Sequence, residues 1–167
     1  MNLKQKLTNF GKKFSGLWKY TFFKIAILVQ IGYIIVSTIL FLSIFYSQND
    51  FIVFYNAGKN ILFDIDTLYF KDDNQFFFRY FPLSAIFYIP FSLFDFISGY
   101  FAFMGFNLIL NIGICINMYK LIKLFNNKDN LSEENMARYF ALFLGASPQV
   151  NNYVLGQNNL LVIFLIL

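Results

Sequence analysis

The 167-residue sequence is too apolar for an ordinary soluble domain, because 58% of its residues are hydrophobic and 13% are charged, against about 25% charged residues in a typical soluble domain. It contains no histidine and one cysteine, Cys115, which excludes disulfide frameworks, zinc sites built from His and Cys, and histidine-dependent triads. Acid–base chemistry must therefore come from Asp, Glu, Lys or Tyr. The long uncharged runs predict an integral membrane protein.

The net charge of +4 is concentrated at the N-terminus. Six lysines precede the first apolar run, with no acid among them: Lys4, Lys6, Lys12, Lys13, Lys19 and Lys24. Such a cluster fits a nucleic-acid-binding arm, but beside a membrane span it is typical of a cytoplasmic anchor, and we expect no nucleic-acid partner. The next run is too long for a signal peptide and lacks its cleavage site. Residues 1–24 are predicted to be cytoplasmic and residues 25–167 to form the membrane domain.

Two apolar runs are long enough to cross a bilayer as helices. Ile25–Tyr46 has 22 uncharged residues, which reach about 33 Å and exceed the ~30 Å hydrocarbon core. Phe96–Tyr119 has 24. Between them, Tyr80–Phe94 has 15 uncharged residues and two prolines; its length fits either a short span or a segment that enters the bilayer without crossing. A tight turn at Asp95, Ser98 and Gly99 is expected to join it to the next span.

The last apolar region, Tyr139–Leu167, is divided by the polar segment 147–159. We expect a span ending near Pro148, a polar re-entrant or surface loop, and a new span from Leu160. That last run is not capped at Leu167, so the sequence is expected to be truncated. The predicted fold is an all-α membrane bundle with about four or five spans.

One loop conflicts with this topology. With the basic N-terminus inside, counting spans puts Lys120–Arg138 outside, although its excess of basic over acidic residues favours the inside. Either the loop is an exception to the charge rule, or Tyr80–Phe94 enters the bilayer without crossing it. The loop's charged residues are Lys120, Lys123, Lys128, Asp129, Glu133, Glu134 and Arg138.

The segment Ser47–Tyr80 is the long polar connection between two apolar regions, and by the same topology it faces outside. A plain connector needs only about six residues, so its length suggests a function. Within it, Phe51–Leu62 has a helical pattern of apolar and polar residues, which fits an interfacial helix or a helix packed against the spans. Asp72-Asp73 is expected to form a solvated turn.

Three features of this loop have a functional and a structural interpretation. Asp50 is either the N-cap of the helix or a base at the membrane surface. Arg79 either extends to the interface or binds a phosphate. Asp64-Ile65-Asp66 resembles a metal-binding DxD pair, but no alternation of strands and helices surrounds it, so no metal site is predicted.

The order of several short motifs resembles the N-terminal part of glycosyltransferase family 87, a group of GT-C-type membrane transferases. The similarity covers roughly residues 25–167. Near Pro82 it is looser, because the usual tyrosine-proline pair appears as Tyr80-Phe81-Pro82. The motifs are Asn49-Asp50-Phe51-Ile52-Val53-Phe54-Tyr55-Asn56-Ala57-Gly58-Lys59, Thr67-Leu68-Tyr69, Phe78-Arg79-Tyr80-Phe81-Pro82-Leu83, Pro90-Phe91, Asn107 and Gly156-Gln157-Asn158-Asn159-Leu160.

This resemblance implies a multi-pass GT-C-like bundle, by analogy in a prokaryotic plasma membrane. It implies that a hexose, mannose in the first place, moves with inversion from a polyprenyl-phosphate donor to a hydroxyl of a glycan or glycolipid at the extracytoplasmic face, without a cofactor. It assigns the general base to Asp50. The expected substrate-binding residues are Arg79, Lys59, Tyr55, Tyr80, Gln157 and Asn158. GT-C sites are assembled from further helices, so residues 1–167 alone are expected to be inactive.

Two other functions remain open at the level of sequence. A transporter or flippase would have its substrate site at the broken segment 147–159, although the predicted spans lack the charged residues of ion-coupled transport. A structural subunit would need no chemistry at all.

Overall fold

The computed structural model describes residues 15–46, 49–69, 78–125 and 132–167. Within these ranges the secondary structure is helical, without strands, which confirms the predicted all-α fold for this part of the chain. In chain order the elements are α1 (Thr21–Ser43), α2 (Asp50–Phe63), a 3₁₀ helix (Ile65–Thr67), α3 (Pro82–Ser92), α4 (Phe96–Phe125), α5 (Glu133–Gly145), α6 (Pro148–Val154) and α7 (Asn159–Ile166).

Two helices in the described ranges, α1 and the Phe96–Ile122 part of α4, are long and apolar enough to cross a membrane; four or five spans were predicted. In the most apolar stretch of α1 22% of the residues are buried, and in that of α4 39%. The core helix of a soluble protein is mostly buried, whereas fewer than half of the residues in either stretch are buried in the structure. Both predicted long helices are confirmed, with ends displaced by a few residues.

Helix α3 begins at Pro82, whose fixed φ suits the first helical position. Its 11 residues reach about 16 Å, roughly half of the hydrocarbon core. It packs along α2, where the Ser92 hydroxyl donates to the carbonyl of Tyr55 at 2.7 Å. A Cβ on Gly58 would lie 2.5 Å from the Ser92 hydroxyl oxygen, so glycine is what allows this close approach. By its length, α3 fits a segment that folds back on α2 better than one that spans.

The connection from α3 to α4 is shorter than predicted. Ser98 and Gly99 belong to the first turn of α4, and the break is confined to Leu93–Asp95. The reason is that Asp95 acts as a helix cap: its Oδ2 accepts from the Ser98 N–H at 3.0 Å.

Helices α5 and α6 run beside α1 in the same direction. The Gln30 Nε2 donates to the carbonyl of Leu144 at 2.6 Å, and farther along both elements the Ser37 hydroxyl donates to the carbonyl of Val150 at 3.5 Å. The break expected near Pro148 is present. However, Pro148 occupies the first turn of α6, so part of the predicted loop 147–159 is helical.

The starts of α1 and α5 lie at the same end of the helix bundle. Lys19 Nζ lies 2.6 Å from Glu133 Oε2, and below this ion pair Phe23, Cys115 and Phe140 belong to one buried cluster. The beginning of α5 and the later part of α4 are therefore at the same end of the bundle as the beginning of α1. Of the two topologies left open by the sequence, this arrangement agrees with the one in which Tyr80–Phe94 does not cross.

A buried chain of polar side chains joins α1, α4 and α6. The Tyr153 hydroxyl donates to Gln30 Oε1 at 3.1 Å and accepts from Asn111 Nδ2 at 2.7 Å. The Tyr100 hydroxyl donates to the Tyr153 carbonyl at 2.6 Å. Hydrogen bonds of this kind between apolar helices fix their relative rotation, and here they hold α6 in the middle of the bundle.

Candidate functional site around Asp50

The N-terminus of α2 is capped by Asn49, not by Asp50. Asn49 Oδ1 accepts from the N–H of Ile52 at 2.8 Å, and its Nδ2 donates back to the carbonyl of Tyr46 at 3.3 Å. Asn49 is 2% exposed. The structural interpretation of Asp50 as the cap is therefore wrong: Asp50 is the first helical residue, and the capping positions are already occupied.

The segment 155–157 packs directly onto this helix start. The carbonyl of Leu155 accepts from the Phe51 N–H at 3.1 Å. Gly156 has φ +66°, and a Cβ at this position would lie 2.3 Å from the Phe51 Cβ. Glycine is thus required both for the left-handed backbone and for the contact. The turn brings the next residue, Gln157, beside Asp50.

The two side chains meet there. Gln157 Nε2 donates to Asp50 Oδ2 at 3.2 Å, and Gln157 Oε1 in turn accepts from Asn159 Nδ2 at 2.9 Å. Asp50 and Gln157 are half-buried and Asn159 is exposed. The amide chain from Asn159 through Gln157 holds one carboxylate oxygen, while Asp50 Oδ1 has no hydrogen bond to the described residues. Such a carboxylate is oriented and still able to accept a proton.

Phe51, the residue after Asp50, belongs to a buried cluster of aromatic side chains that the sequence did not predict. Phe51 is fully buried, with its ring 5.3 Å from that of Phe103 and 6.3 Å from that of Tyr88. The Tyr88 hydroxyl is buried without a hydrogen-bond partner among the described residues. Within an apolar run rich in aromatics, no sequence signal distinguishes Tyr88 from its neighbours.

Tyr80 packs against α2, and Arg79 directly precedes it in the chain. The ring of exposed Tyr80 is 4.8 Å from that of Phe54, which is one helical turn beyond Asp50. Arg79, the preceding residue, is exposed, and the described part of the chain provides no ion pair for it. A guanidinium in this position is available to an anionic ligand.

Lys59 and Tyr55 face a different part of the structure. Lys59 is nine residues after Asp50 on α2, which separates their Cα atoms by about 13 Å along the axis and puts them on opposite sides of the helix. Its Nζ lies 5.7 Å from the ring centroid of Tyr55. Tyr55 is buried, and its hydroxyl donates to the carbonyl of Phe94 at 2.8 Å. Neither residue is brought together with Asp50.

Asn158, another residue predicted to bind substrate, directly precedes α7 and is half-buried. Its carbonyl accepts from the Val162 N–H at 3.2 Å, and its side chain does not cap the helix.

Two other polar features of the sequence lie inside the helix bundle. Asn107 is buried, and both polar atoms of its side chain lack a partner among the described residues. In the segment 147–159 suggested for a transporter, Gln149 and Tyr153 face the buried polar chain between the helices.

The acidic residues farther along the loop are not gathered into a metal site in the described ranges. Asp64 and Asp66 are exposed on either side of Ile65, and no group of three or more His, Cys, Asp or Glu side chains is found in those ranges. The predicted turn at Asp72-Asp73 lies outside the described residues.

Comparison with known proteins gives one family. Searches of curated proteins and of solved structures found no match for the chain. A sequence model of glycosyltransferase family 87 matches residues 77–167, which is more than half of the 167-residue chain. The matched range contains Arg79, Tyr80, Gln157 and Asn158 and begins after Asp50. The resemblance found in the sequence is confirmed: the chain belongs to glycosyltransferase family 87.

Proposed function

We propose that this glycosyltransferase is a multi-pass membrane enzyme that moves a hexose, mannose in the first place, from a polyprenyl phosphate to an acceptor hydroxyl. The transfer takes place at the extracytoplasmic face of the plasma membrane, with Asp50 as general base. Family membership implies a sugar donor and an acceptor. The lipid donor, the sugar and the face are our proposal.

In this mechanism the acceptor oxygen attacks the anomeric carbon from the side opposite the phosphate. The bond from that carbon to the phosphate oxygen breaks, the polyprenyl phosphate leaves with the electron pair, and the configuration inverts. Asp50 Oδ1 takes the proton of the acceptor hydroxyl as the new bond forms. A cation is needed where negative charge develops on the departing phosphate. We assign this role to Arg79, because its side chain is exposed and the next residue, Tyr80, packs against Phe54 of α2.

The observation that carries the proposal is the hydrogen bond from Gln157 to Asp50 Oδ2. A solvated surface carboxylate needs no such partner, and a capping carboxylate would bind backbone N–H groups instead. Here the cap is Asn49, and the polar side chain beside Asp50 comes from a segment 107 residues later in the chain. We therefore assign to Gln157 the role of orienting the base, in place of the direct substrate contact suggested by the sequence.

Three features support the membrane part of the proposal. Only 22% of the residues in the most apolar stretch of α1 are buried. The Lys19–Glu133 ion pair joins the basic N-terminal region to the start of α5, which is consistent with a cytoplasmic position for both. Asp50 belongs to the opposite end, where α1 has ended and α2 begins. In this topology α1 runs outward, α2 and α3 stay at the outer side, and α4 returns.

The catalytic test uses the full-length protein in membranes with a labelled polyprenyl-phosphate sugar and a panel of glycan acceptors. Asp50→Asn should lower the rate of transfer by about 10²- to 10⁴-fold, the usual contribution of a general base, at unchanged expression. Asp66→Asn, an exposed carboxylate of the same loop, is the matched control and should transfer normally. If Asp50→Asn retains near-normal turnover, Asp50 is not the base.

Sidedness is tested separately by cysteine labelling. Cys115, the one cysteine of the 167-residue sequence, is buried, and labelling of the unsubstituted protein gives the background. With a membrane-impermeant maleimide, Asp66→Cys should react in intact cells, and Asn135→Cys, exposed near the start of α5, only after permeabilisation. Labelling of both positions from the same side would contradict the topology and, with it, the extracytoplasmic site.

A further inference from the structure

A groove of about 540 Å³ lies between α1 and α5 on the surface of the helix bundle, near the end that carries the Lys19–Glu133 ion pair. We call it the Arg138 groove. Its walls are almost entirely apolar, with one charged residue among them. The lining residues are Phe22, Ile25, Ala26 and Val29 from α1, and Arg138, Ala141, Leu142 and Gly145 from α5.

The groove exists because small residues lie between larger ones. Ala26, Ala141 and Gly145 leave space between the helices, whereas Ile25 and Leu142 are 54% and 73% exposed. A Cβ added to Gly145 would meet no atom within 4 Å. The described residues therefore leave this space open, and its apolar walls suit a hydrocarbon chain.

The charge in the groove is well placed for an anionic head group. The Arg138 guanidinium lies 6.0 Å from the ring of Phe22, and its side chain is 61% exposed. One of its terminal nitrogens, Nη2, bonds Glu134 Oε1, one turn earlier on α5. Because a guanidinium carries five N–H donors, donors on Nε and Nη1 remain for a phosphate.

We propose that the Arg138 groove binds an anionic phospholipid of the bilayer, with one acyl chain along the apolar walls and the phosphate on Arg138. Basic pockets between membrane helices on the cytoplasmic side select anionic head groups, and Arg138 is the charged residue that lines this groove. A zwitterionic lipid carries its own cation beside the phosphate and gains less from the guanidinium. The inference rests on the membrane placement proposed above and not on the transfer reaction.

The test is native mass spectrometry of the full-length protein in detergent, titrated with phosphatidylglycerol or phosphatidylcholine. Arg138→Gln should weaken phosphatidylglycerol binding about fivefold, since one basic residue near the membrane surface contributes about 1 kcal/mol; Lys120→Gln, another exposed cation, should not. Gly145→Leu fills the groove and should abolish the bound lipid, whereas Gly105→Leu, which also meets open space, should keep it.

Equal binding of the two lipids, or wild-type binding by both groove variants, would overturn the proposal in favour of a non-selective lipid shell. A stable dimer mass that is lost on Gly145→Leu would overturn it in favour of a second copy of the chain. No sugar donor takes part in the measurement. Lipid selectivity can therefore fail while transfer succeeds, and the reverse.

Discussion

Gly156→Ala is the most informative substitution near Asp50, because two features of the structure oppose the added methyl group. Its φ of +66° costs a residue with a Cβ about 1–2 kcal/mol. In addition, the new Cβ would lie 2.3 Å from the Phe51 Cβ, an overpacking that typically costs about 1–3 kcal/mol. Gly156→Ala should therefore destabilise the protein by about 2–5 kcal/mol, unless the segment 155–157 moves away from α2.

Either response has a measurable consequence. If the segment stays, the melting temperature of the purified full-length protein falls. If the segment moves, Gln157 leaves Asp50, and transfer activity falls at nearly unchanged stability. The matched control is Gly105→Ala in α4, where a Cβ meets open space and alanine is favoured over glycine within a helix by about 0.5–1 kcal/mol. A Gly156→Ala protein that melts and turns over like the wild type would refute this account of the contact.

Three further predictions concern the hydrogen bonds made by Gln157, Asn49 and Asp95. Gln157→Ala should lower kcat by about 10- to 100-fold, because a hydrogen bond to a charged group contributes about 1.5–3 kcal/mol. Steady-state kinetics should leave KM for the donor unchanged; a raised KM with normal kcat would instead indicate direct substrate contact. Asn49→Ala should cost about 0.5–2 kcal/mol by loss of the cap on α2, seen as a lower melting temperature with no change for Asn135→Ala. The backbone N–H of Ser98 lowers the pKa of Asp95 below its ordinary 3.8. The stabilisation by this carboxylate is thus present above that value and lost as the pH falls through the lower folded pKa. The difference in melting temperature between wild type and Asp95→Asn should accordingly shrink between about pH 6 and about pH 3. A difference that stays constant with pH would show that the Asp95 charge does not stabilise the turn.

The long elements were predictable because their signals are local. Uninterrupted apolar runs located α1 and α4, and the spacing of apolar residues located α2, observed at Asp50–Phe63 against the predicted Phe51–Leu62. In each case the deciding pattern lies within the element itself, so no tertiary contact is needed to read it.

Other features depended on contacts that the sequence does not contain. Asn49 and Asp50 are both favourable N-cap residues by type. A shift of the helix start by one residue decides which of them is the cap, and the sequence does not fix the start that closely. Pro148 breaks one helix and begins another, and its residue type is compatible with both. The end of the bundle at which α5 starts follows from the Lys19–Glu133 contact, between residues 114 positions apart, whereas the charge rule gave only a tendency.

The same limit applies to the role that we propose for Gln157. Its amide was expected to bind a sugar or phosphate, since nothing in the sequence connects the Gly156-Gln157 pair with the start of α2. In the structure the left-handed Gly156 packs on Phe51, and the amide that follows bonds the neighbouring carboxylate. The family match begins at residue 77, so Asp50 lies outside it while Gln157 lies within it. Substitutions of Gly156 and Gln157 remove the hydrogen bond that orients Asp50 and leave its carboxylate unchanged. They therefore test the proposed base independently of substitutions at Asp50 itself.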